Sequence, residues 1–392
     1  MTDRRQAASG GKTGRVSVTS QTSNAGASRH AEALRYLFEH HPLGADTFEV
    51  APGILWARIP LPFRLNHVNV WLIREHDGWT LIDTGTANAE ARAIWEQLLA
   101  GVLKGAPIVR LIATHGHTDH VGLASWLHDL AGGVPYHITM VEWLSAAVRI
   151  DESRSPIGPH ALKFLLGHGC DQITIDSFRE ERRRTNAQML PMPTAIERLR
   201  DGQILRFGDR NWRVMVCGGH AAEHASFWCE DEGILIAGDQ VLSKISPMIG
   251  VTASEPNADP LTEYLASLDR FRALPGDPLV LPSHGLPFHG LHARVDQLDH
   301  HHQLRLAELE GLMDRPSNGG HSAMHLAHGL FARAVADGQG RHAFSETLAH
   351  LHHLVTRGRA TRHVDAEGRI TFARTSVSIR AGSQAQLEAV SG

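Results

Sequence analysis

The chain has 392 residues, 42% of them hydrophobic and 20% charged, which suits an ordinary globular protein with two structural units plus tails. A formal net charge of -4 gives no global electrostatic case for nucleic acid or an anionic membrane, and no run of eighteen apolar residues suits a membrane span. Three cysteines (Cys170, Cys217, Cys229) are too few and too scattered for a disulfide framework and fit a reducing cytoplasm.

Residues 1–28 are rich in Ser, Thr, Gly and Ala and read as a disordered tail; Arg4-Arg5 precedes no apolar segment, so no secretory or twin-arginine signal is expected. The first periodic segments are strands: Phe48 to Val50, Ile54 to Ile59 and Val68 to Ile73 are β-branched and apolar, with Pro and Gly between them. Asp77-Gly78 is a hairpin-turn dipeptide, and Trp79 to Asp83 returns as another strand. Residues 88–101 set Ala91, Ile94, Trp95, Leu98 and Leu99 at helical spacing. Ile108 to Ala113 is then a buried strand, and Val121 to Leu130 a helix closed by Gly132-Gly133. This order of strands and helices predicts an α/β domain with helices outside a sheet.

Between about 139 and 197 the segments turn helical and charged, including Arg182-Arg183-Arg184, and read as an insertion that either caps a pocket or forms a peripheral helix pair. Strands resume at Gln203–Leu205, Trp212–Val216 and Gly233–Ala237; residues 261–274 form an amphipathic helix, and Pro278–Pro282 a last strand leading into Ser283-His284-Gly285. From about 291 the chain is helical again, with Leu298, Leu304, Leu306, Leu309 and Leu312 near helical spacing. Thr361–Val364 and Ile370–Ala373 flank Asp365-Ala-Glu-Gly368 as a two-stranded wing, so a small winged-helix-like appendage is expected. There is no internal repeat. The 28 histidines include the runs His300-His301-His302 and His352-His353, which read as solvated helix faces.

One histidine group has different surroundings. Thr114-His115-Gly116-His117-Thr118-Asp119-His120 packs four potential metal ligands into six residues directly after a buried strand. In such a loop two histidines one residue apart can turn toward one ion, while Asp119 and His120 face an adjacent one; imidazole and carboxylate together suit zinc, with iron or manganese also allowed. Further ligand types close later strands: Val216-Cys-Gly-Gly-His220, Ile236-Ala-Gly-Asp239 and Leu281-Pro-Ser-His284. Each follows an apolar strand beside Gly or another small residue, where open α/β sites are built.

These motifs resemble the metallo-β-lactamase superfamily, particularly its glyoxalase II-like and ribonuclease-like branches, over roughly residues 47–290. The resemblance implies an αββα sandwich over 29–290 with a helical insertion at about 139–197, a small C-terminal winged-helix-like domain over 291–375, and a tail over 376–392. It implies one metal site of His115, His117 and His220, a second of Asp119, His120 and His284, and Asp239 bridging the two. Asp83 in Leu81-Ile-Asp-Thr-Gly85 and His224 would support these ligands from behind. Two zinc ions could share a hydroxide of lowered pKa that attacks a carbonyl, with Asp119 also orienting the nucleophile or taking its proton as a catalytic group. His67 and Asn69 either touch substrate or are polar strand-end residues, and His289 and His292 belong to the loop and helix after His284.

The substrate is not given by fold and metals. Basic and tyrosine residues for glutathione are not recognisable, which counts against a glyoxalase II reaction, and the tyrosine usual in acyl-homoserine lactone hydrolysis has no counterpart. The main expectation is hydrolysis of a carbonyl ester, a thioester or lactone, by a cytoplasmic enzyme with a small-molecule substrate, no membrane or nucleic-acid partner, and a homodimer allowed. Gly218 to His224 and Gly238 to Pro247 are also similar to the branch containing chlorothalonil hydrolytic dehalogenase, with Trp56, Trp71, Trp126, Trp143 and Phe63 as candidates for an aromatic pocket. An endoribonuclease is the third reading, but residues 291–392 hold eleven Arg, no Lys and ten acidic residues, hardly a basic stripe. Arg182–Arg184 could grip a phosphate-bearing substrate or form a solvated helix face. A non-catalytic metal-binding module is the fourth reading.

Overall fold

The computed structural model describes residues 34–152, 157–315, 317 and 319–375. In chain order its elements begin with β1 (Arg35–Tyr36), β2 (Phe48–Ala51), β3 (Ile54–Pro60), β4 (His67–Arg74), β5 (Trp79–Ile82), α1 (Ala89–Ala100), β6 (Ile108–Ile112), α2 (Thr118–Val121), α3 (Ala124–Leu130) and β7 (Tyr136–Ile138). Next come α4 (Met140–Glu152), α5 (Pro159–Gly167), α6 (Gln172–Asn186), β8 (Glu197–Arg198), β9 (Ile204–Phe207), β10 (Arg210–Cys217), β11 (His224–Cys229) and β12 (Ile234–Gly238). The remainder is α7 (Pro260–Arg272), β13 (Leu279–Pro282), β14 (Phe288–His289), α8 (Leu291–Met313), α9 (Ala323–Leu330), α10 (Ala332–Ala336), α11 (Gly340–Thr356), β15 (Ala360–Val364) and β16 (Ile370–Arg374).

Two seven-stranded sheets result, ordered β2-β3-β4-β5-β6-β7-β8 and β1-β14-β13-β12-β11-β10-β9. The period of two along each strand decides how they stack. In β4, Val68, Val70 and Leu72 join the core under the first sheet's helices, while Trp71 and Ile73 join the core between the sheets. In β12, Ile234 and Ile236 face the inter-sheet core, while Leu235 and Ala237 face the helices on the far side. Strands apolar on both faces must be covered on both faces, and the result is the expected αββα sandwich. Trp56 and Trp71 are fully buried between the sheets, so neither lines a pocket.

Several helices open on capping side chains. Asn88 accepts from the Ala91 N–H at the start of α1, Asp171 from Thr174 at α6, and Asp259 from Thr262 at α7, where Pro260 occupies the first turn. The helix expected over 121–130 is interrupted: α2 and α3 are separated by Gly122-Leu123, and α2 already includes Asp119 and His120. In the 139–197 segment, α4 packs beside the histidine cluster, whereas Phe164, Ile175 and Phe178 of α5 and α6 share a core with Phe344 and Leu348 of α11. The C-terminal helices and the β15–β16 hairpin are thus continuous in packing with the second sheet's outer layer.

The histidine runs differ from the solvated faces expected of them. His302 points inward from α8 in line with Leu291, Val295, Leu298, Leu306 and Leu309, and Leu304 is the exposed residue instead. His302 Nδ1 lies 3.2 Å from His350 Nε2, His350 Nδ1 donates to the Glu346 carbonyl at 2.8 Å, and His352 Nδ1 donates to the Ala258 carbonyl at 2.8 Å. His353 Nδ1 sits 2.8 Å from Thr262 Oγ1. Neutral imidazole carries one donor and one acceptor, so a matched pair can be buried between helices where an ammonium or guanidinium could not. Among the described residues no helix is long and apolar enough to cross a membrane.

Candidate metal centre

Each side chain of the centre sits just beyond the end of a strand. His115 and His117 follow β6, Asp119 and His120 begin α2, His220 lies between β10 and β11, Asp239 follows β12, and His284 follows β13. The fold therefore brings all seven sequence candidates to one end of the sandwich. Three sets have ligand atoms mutually within 4.8 Å: His115 with His117 and His220; His115 with His120 and Asp239; and Asp119 with His120 and His284.

Asp239 joins these sets. Its Oδ2 is 3.2 Å from His220 Nε2, and its Oδ1 is 3.3 Å from His284 Nε2 and 3.6 Å from His120 Nε2. Asp119 Oδ2 stands 3.5 Å from His284 Nε2 and 3.6 Å from His120 Nε2. His115 Nε2 is 2.9 Å from His117 Nδ1 and 3.3 Å from His220 Nε2. Ligand atoms held at ~2.1 Å around a tetrahedral ion stand roughly 3.4 Å apart, the spacing seen throughout the cluster. His120 Nε2, His284 Nε2 and Asp239 Oδ1 are buried without an oriented hydrogen-bond partner in the protein, and a cation between them would satisfy all three. The residues fit a pair of divalent ions.

Partners on the far side of each ring fix which nitrogen faces inward. His120 Nδ1 donates to Asp83 Oδ2 at 2.8 Å, His220 Nδ1 to the Met248 carbonyl at 2.9 Å, and His284 Nδ1 to the His67 carbonyl at 2.7 Å. Thr114 Oγ1 donates to Asp83 Oδ2 at 2.9 Å and lies 3.0 Å from His115 Nδ1, whose N–H it accepts. Asp83 itself has φ +63°, an uncommon left-handed backbone for a residue other than glycine, and Thr114 N–H donates to its Oδ1 at 2.8 Å.

His224 meets backbone. Its Nε2 accepts the Asp239 N–H at 3.0 Å, and burial pushes its pKa down to about 3, so it stays neutral and anchors the backbone of Asp239. Gly238 permits this contact: with φ +58°, any Cβ there would lie 2.3 Å from His224 Nε2. His67 and Asn69 also serve the ligands from behind. His67 Nε2 accepts the Gly285 N–H at 2.9 Å, and Asn69 Nδ2 donates to the Pro282 and Gly285 carbonyls at 2.7 and 2.9 Å, tying β4 to the His284 loop. His289 and His292 lie on β14 and α8, bonded to the Asp277 and Leu274 carbonyls.

Two residues that the motifs do not flag brace the first histidine loop. Glu142 of α4 accepts the N–H of Gly116 at 2.9 Å and of Glu223 at 3.0 Å, and Arg149 Nη1 donates to the Gly116 carbonyl at 2.7 Å. The charge environment divides the cluster. Burial, then neighbouring His120, holds His115 well below the usual imidazole range, and burial with Arg149 does so for His117. Burial opposes protonation of His120, but Asp119, Asp83 and Asp239 outweigh it and lift it to about 10. Burial alone would raise Asp239; His284 and His120 instead hold it well below the carboxylate range. A histidine-rich set thus adjoins a carboxylate-rich set that attracts positive charge.

A family model described as Metallo-beta-lactamase superfamily matches residues 64–284, and one described as Metallo-beta-lactamase-like, C-terminal domain matches residues 309–375. A solved structure of a beta-lactamase domain protein from Burkholderia ambifaria is 37% identical, with 87% of this chain and 98% of that chain covered and a TM-score of 0.79. The Bacillus subtilis protein named Probable metallo-hydrolase YqjP is 27% identical over 310 residues, 76% of this chain and 91% of that one. A protein from Aspergillus fumigatus named Atrochrysone carboxyl ACP thioesterase is 24% identical over 289 residues, 71% of this chain and 72% of its own.

Proposed function

Because the chain belongs to the metallo-beta-lactamase superfamily, whose relatives here include a metallo-hydrolase, we propose that it hydrolyses a carbonyl ester, of the thioester or lactone class, at a dinuclear zinc-type centre. The observation that carries this reading is the two-sided Asp239 carboxylate, one oxygen turned to His220 and the other to His284 and His120. His115, His117 and His220 would hold one ion, Asp119, His120 and His284 the other, with Asp239 shared. When bound, such ions supply Lewis acidity and a water activated at neutral pH.

The chain's own groups do the rest. Asp83, Met248 and His67 take the rear Nδ1–H groups of His120, His220 and His284, so that Nε2 of each ring is the atom aimed inward. Asp119 is 19% exposed while its neighbour His120 is fully buried, so it is the carboxylate best able to take or orient a proton of the attacking water. The thioester arm draws support from the thioesterase among the relatives. Several arginines of the helices and the hairpin are matched by acids: Arg183 and Arg184 pair with Glu180, Arg305 with Glu308, Arg359 with Glu310, and Arg369 with Asp365, which counts against a dedicated grip on a polyanion there.

Metal content of the purified protein by elemental mass spectrometry, beside a panel of thioesters, lactones and haloaromatics, tests the reading. About two equivalents of zinc with turnover of one ester class is the expected result, and Asp239→Ala brings turnover to background while the fold persists. A chain that stays inert after zinc or iron is added, or an Asp239→Ala variant with full activity, overturns it.

A further inference from the structure

The three histidines of the first set come from two separate loops, His115 and His117 from the one after β6, His220 from the one between β10 and β11. These loops belong to different sheets and are joined in backbone by one hydrogen bond outside the strand ladders, from Ala225 N–H to the Thr114 carbonyl at 2.8 Å. One side chain touches both. Glu142 Oε2 accepts the N–H of Gly116, between the two loop histidines, and Glu142 Oε1 accepts the N–H of Glu223, three residues beyond His220. The link is reciprocated: Val141 N–H donates to Glu223 Oε2 at 3.2 Å, and Thr139 Oγ1 donates to the Glu223 carbonyl at 2.8 Å. Glu142 is only 1% exposed, and Gly116 approaches α4 so closely that a Cβ there would fall 2.3 Å from the Glu142 carbonyl oxygen. The Arg149 guanidinium closes the same loop from the next turns of α4.

We infer that Glu142 is a positioning residue for the His115–His117–His220 set, clamping its two loops to each other across the sandwich. The inference rests on the proposed metal centre. Only a carboxylate does this work, because both oxygens face backbone donors; an amide of the same shape must turn its NH2 group against one of the two N–H groups. The Asp119–His120–His284 set has other supports: His120 is held by Asp83 and His284 by His67, with Asn69 tying down the loop. The helical segment that starts with α4 therefore tunes one half of the centre and leaves the other half to the β4 and β5 strand ends.

The test measures zinc affinity by competition with a chromophoric chelator in two backgrounds. His284→Ala leaves the His115–His117–His220 set complete; His220→Ala leaves the Asp119–His120–His284 set complete. Glu142→Gln is expected to weaken zinc binding ~10- to 100-fold in the first background, the usual cost of losing a group that orients a ligand, and by less than ~3-fold in the second. Glu142→Asp, which keeps one charged acceptor, recovers part of the loss and serves as the measured variant if Glu142→Gln does not fold. Equal losses in both backgrounds would mean general destabilisation, and no loss in the first would mean the clamp is irrelevant; either overturns the inference. Wild-type protein that binds no zinc would instead sink the metal centre itself.

Discussion

Asp83→Asn isolates what a single proton position contributes to the centre. Asparagine tolerates the left-handed backbone at φ +63° almost as well as aspartate, so the turn after β5 should survive. The two carboxylate oxygens now accept from Thr114 N–H at 2.8 Å, Thr114 Oγ1 at 2.9 Å and His120 Nδ1 at 2.8 Å. If the asparagine carbonyl keeps Thr114 N–H, its NH2 group faces His120 and can be met only by a lone pair on Nδ1. His120 would then carry its proton on Nε2, the atom 3.6 Å from both Asp119 and Asp239, and be lost as a ligand. The opposite flip leaves a buried backbone donor unmet, at about 1–3 kcal/mol of stability. Losing such a carboxylate–histidine partner costs about 10- to 100-fold in metal affinity, or ~1.4–2.7 kcal/mol. Zinc competition and thermal melting on the same preparation should therefore show the second ion weakened by that factor and a melting temperature lowered by several degrees. A variant that still binds two equivalents with wild-type affinity would refute the role assigned to Asp83.

Gly238→Ala should be far more disruptive than a one-methyl change suggests: it adds left-handed strain of about 1 kcal/mol and a Cβ 2.3 Å from His224 Nε2, so a loss of about 2–4 kcal/mol in denaturant unfolding, with weakened zinc binding, is expected. An unchanged midpoint would contradict the close approach. Burial pushes His302 down to about 2 and His350 to about 4, both well below the ~6.5 of an unfolded chain. The unfolded state thus takes up protons that the fold refuses, so their contribution is full above pH 6.5 and is lost as pH falls from there, toward 4 for His350 and toward 2 for His302, by about 2 kcal/mol for each ring at pH 5. Urea unfolding at pH 7.5 and 5 checks this, and a His302→Leu, His350→Leu double variant that remains as acid-sensitive as wild type would disprove it.

Much of the architecture was readable because it depends on side-chain period. The strands around residues 54–59, 68–73, 108–113 and 278–282 are apolar on both faces and appear within a residue or two of the expected bounds, as does the hairpin with Asp365 to Gly368 at its turn. Ligand-type residues at strand ends stood out because several donors crowd a short loop. What stayed hidden depends on tertiary neighbours. β7 and β8 are three and two residues long, too short for a pattern, and exist because the first sheet's edge offers a ladder. Glu142 looks like any first-turn acid of an amphipathic helix; nothing local says that its oxygens meet two distant backbone donors. The histidine runs misled for a similar reason, since imidazole is read as polar until a partner such as the His350 nitrogen is seen opposite His302.

The two sheets also explain why aspartate occurs where it does. β5 and β12 each lie at the end of an antiparallel set, each passes through one helix, α1 or α7, and each then pairs in parallel with the next strand, β6 or β13. Asp83 directly follows β5 and Asp239 directly follows β12, so the two carboxylates occupy matching corners of matching halves. At the first corner the acid reaches the backbone and hydroxyl of Thr114 and the rear nitrogen of His120, and its charge is consumed in orienting a neighbour. At the second corner the backbone N–H goes to His224, as that of Asp83 goes to the Ile112 carbonyl, and the two carboxylate oxygens face imidazole nitrogens, of His220 on one side and His284 on the other. The difference between an acid that supports one ring and an acid that faces two candidate ligand sets is therefore set by the donors within reach of its oxygens. Thr114 and His120 use up the Asp83 carboxylate, whereas the Asp239 carboxylate is turned to the Nε2 atoms of His220, His284 and His120.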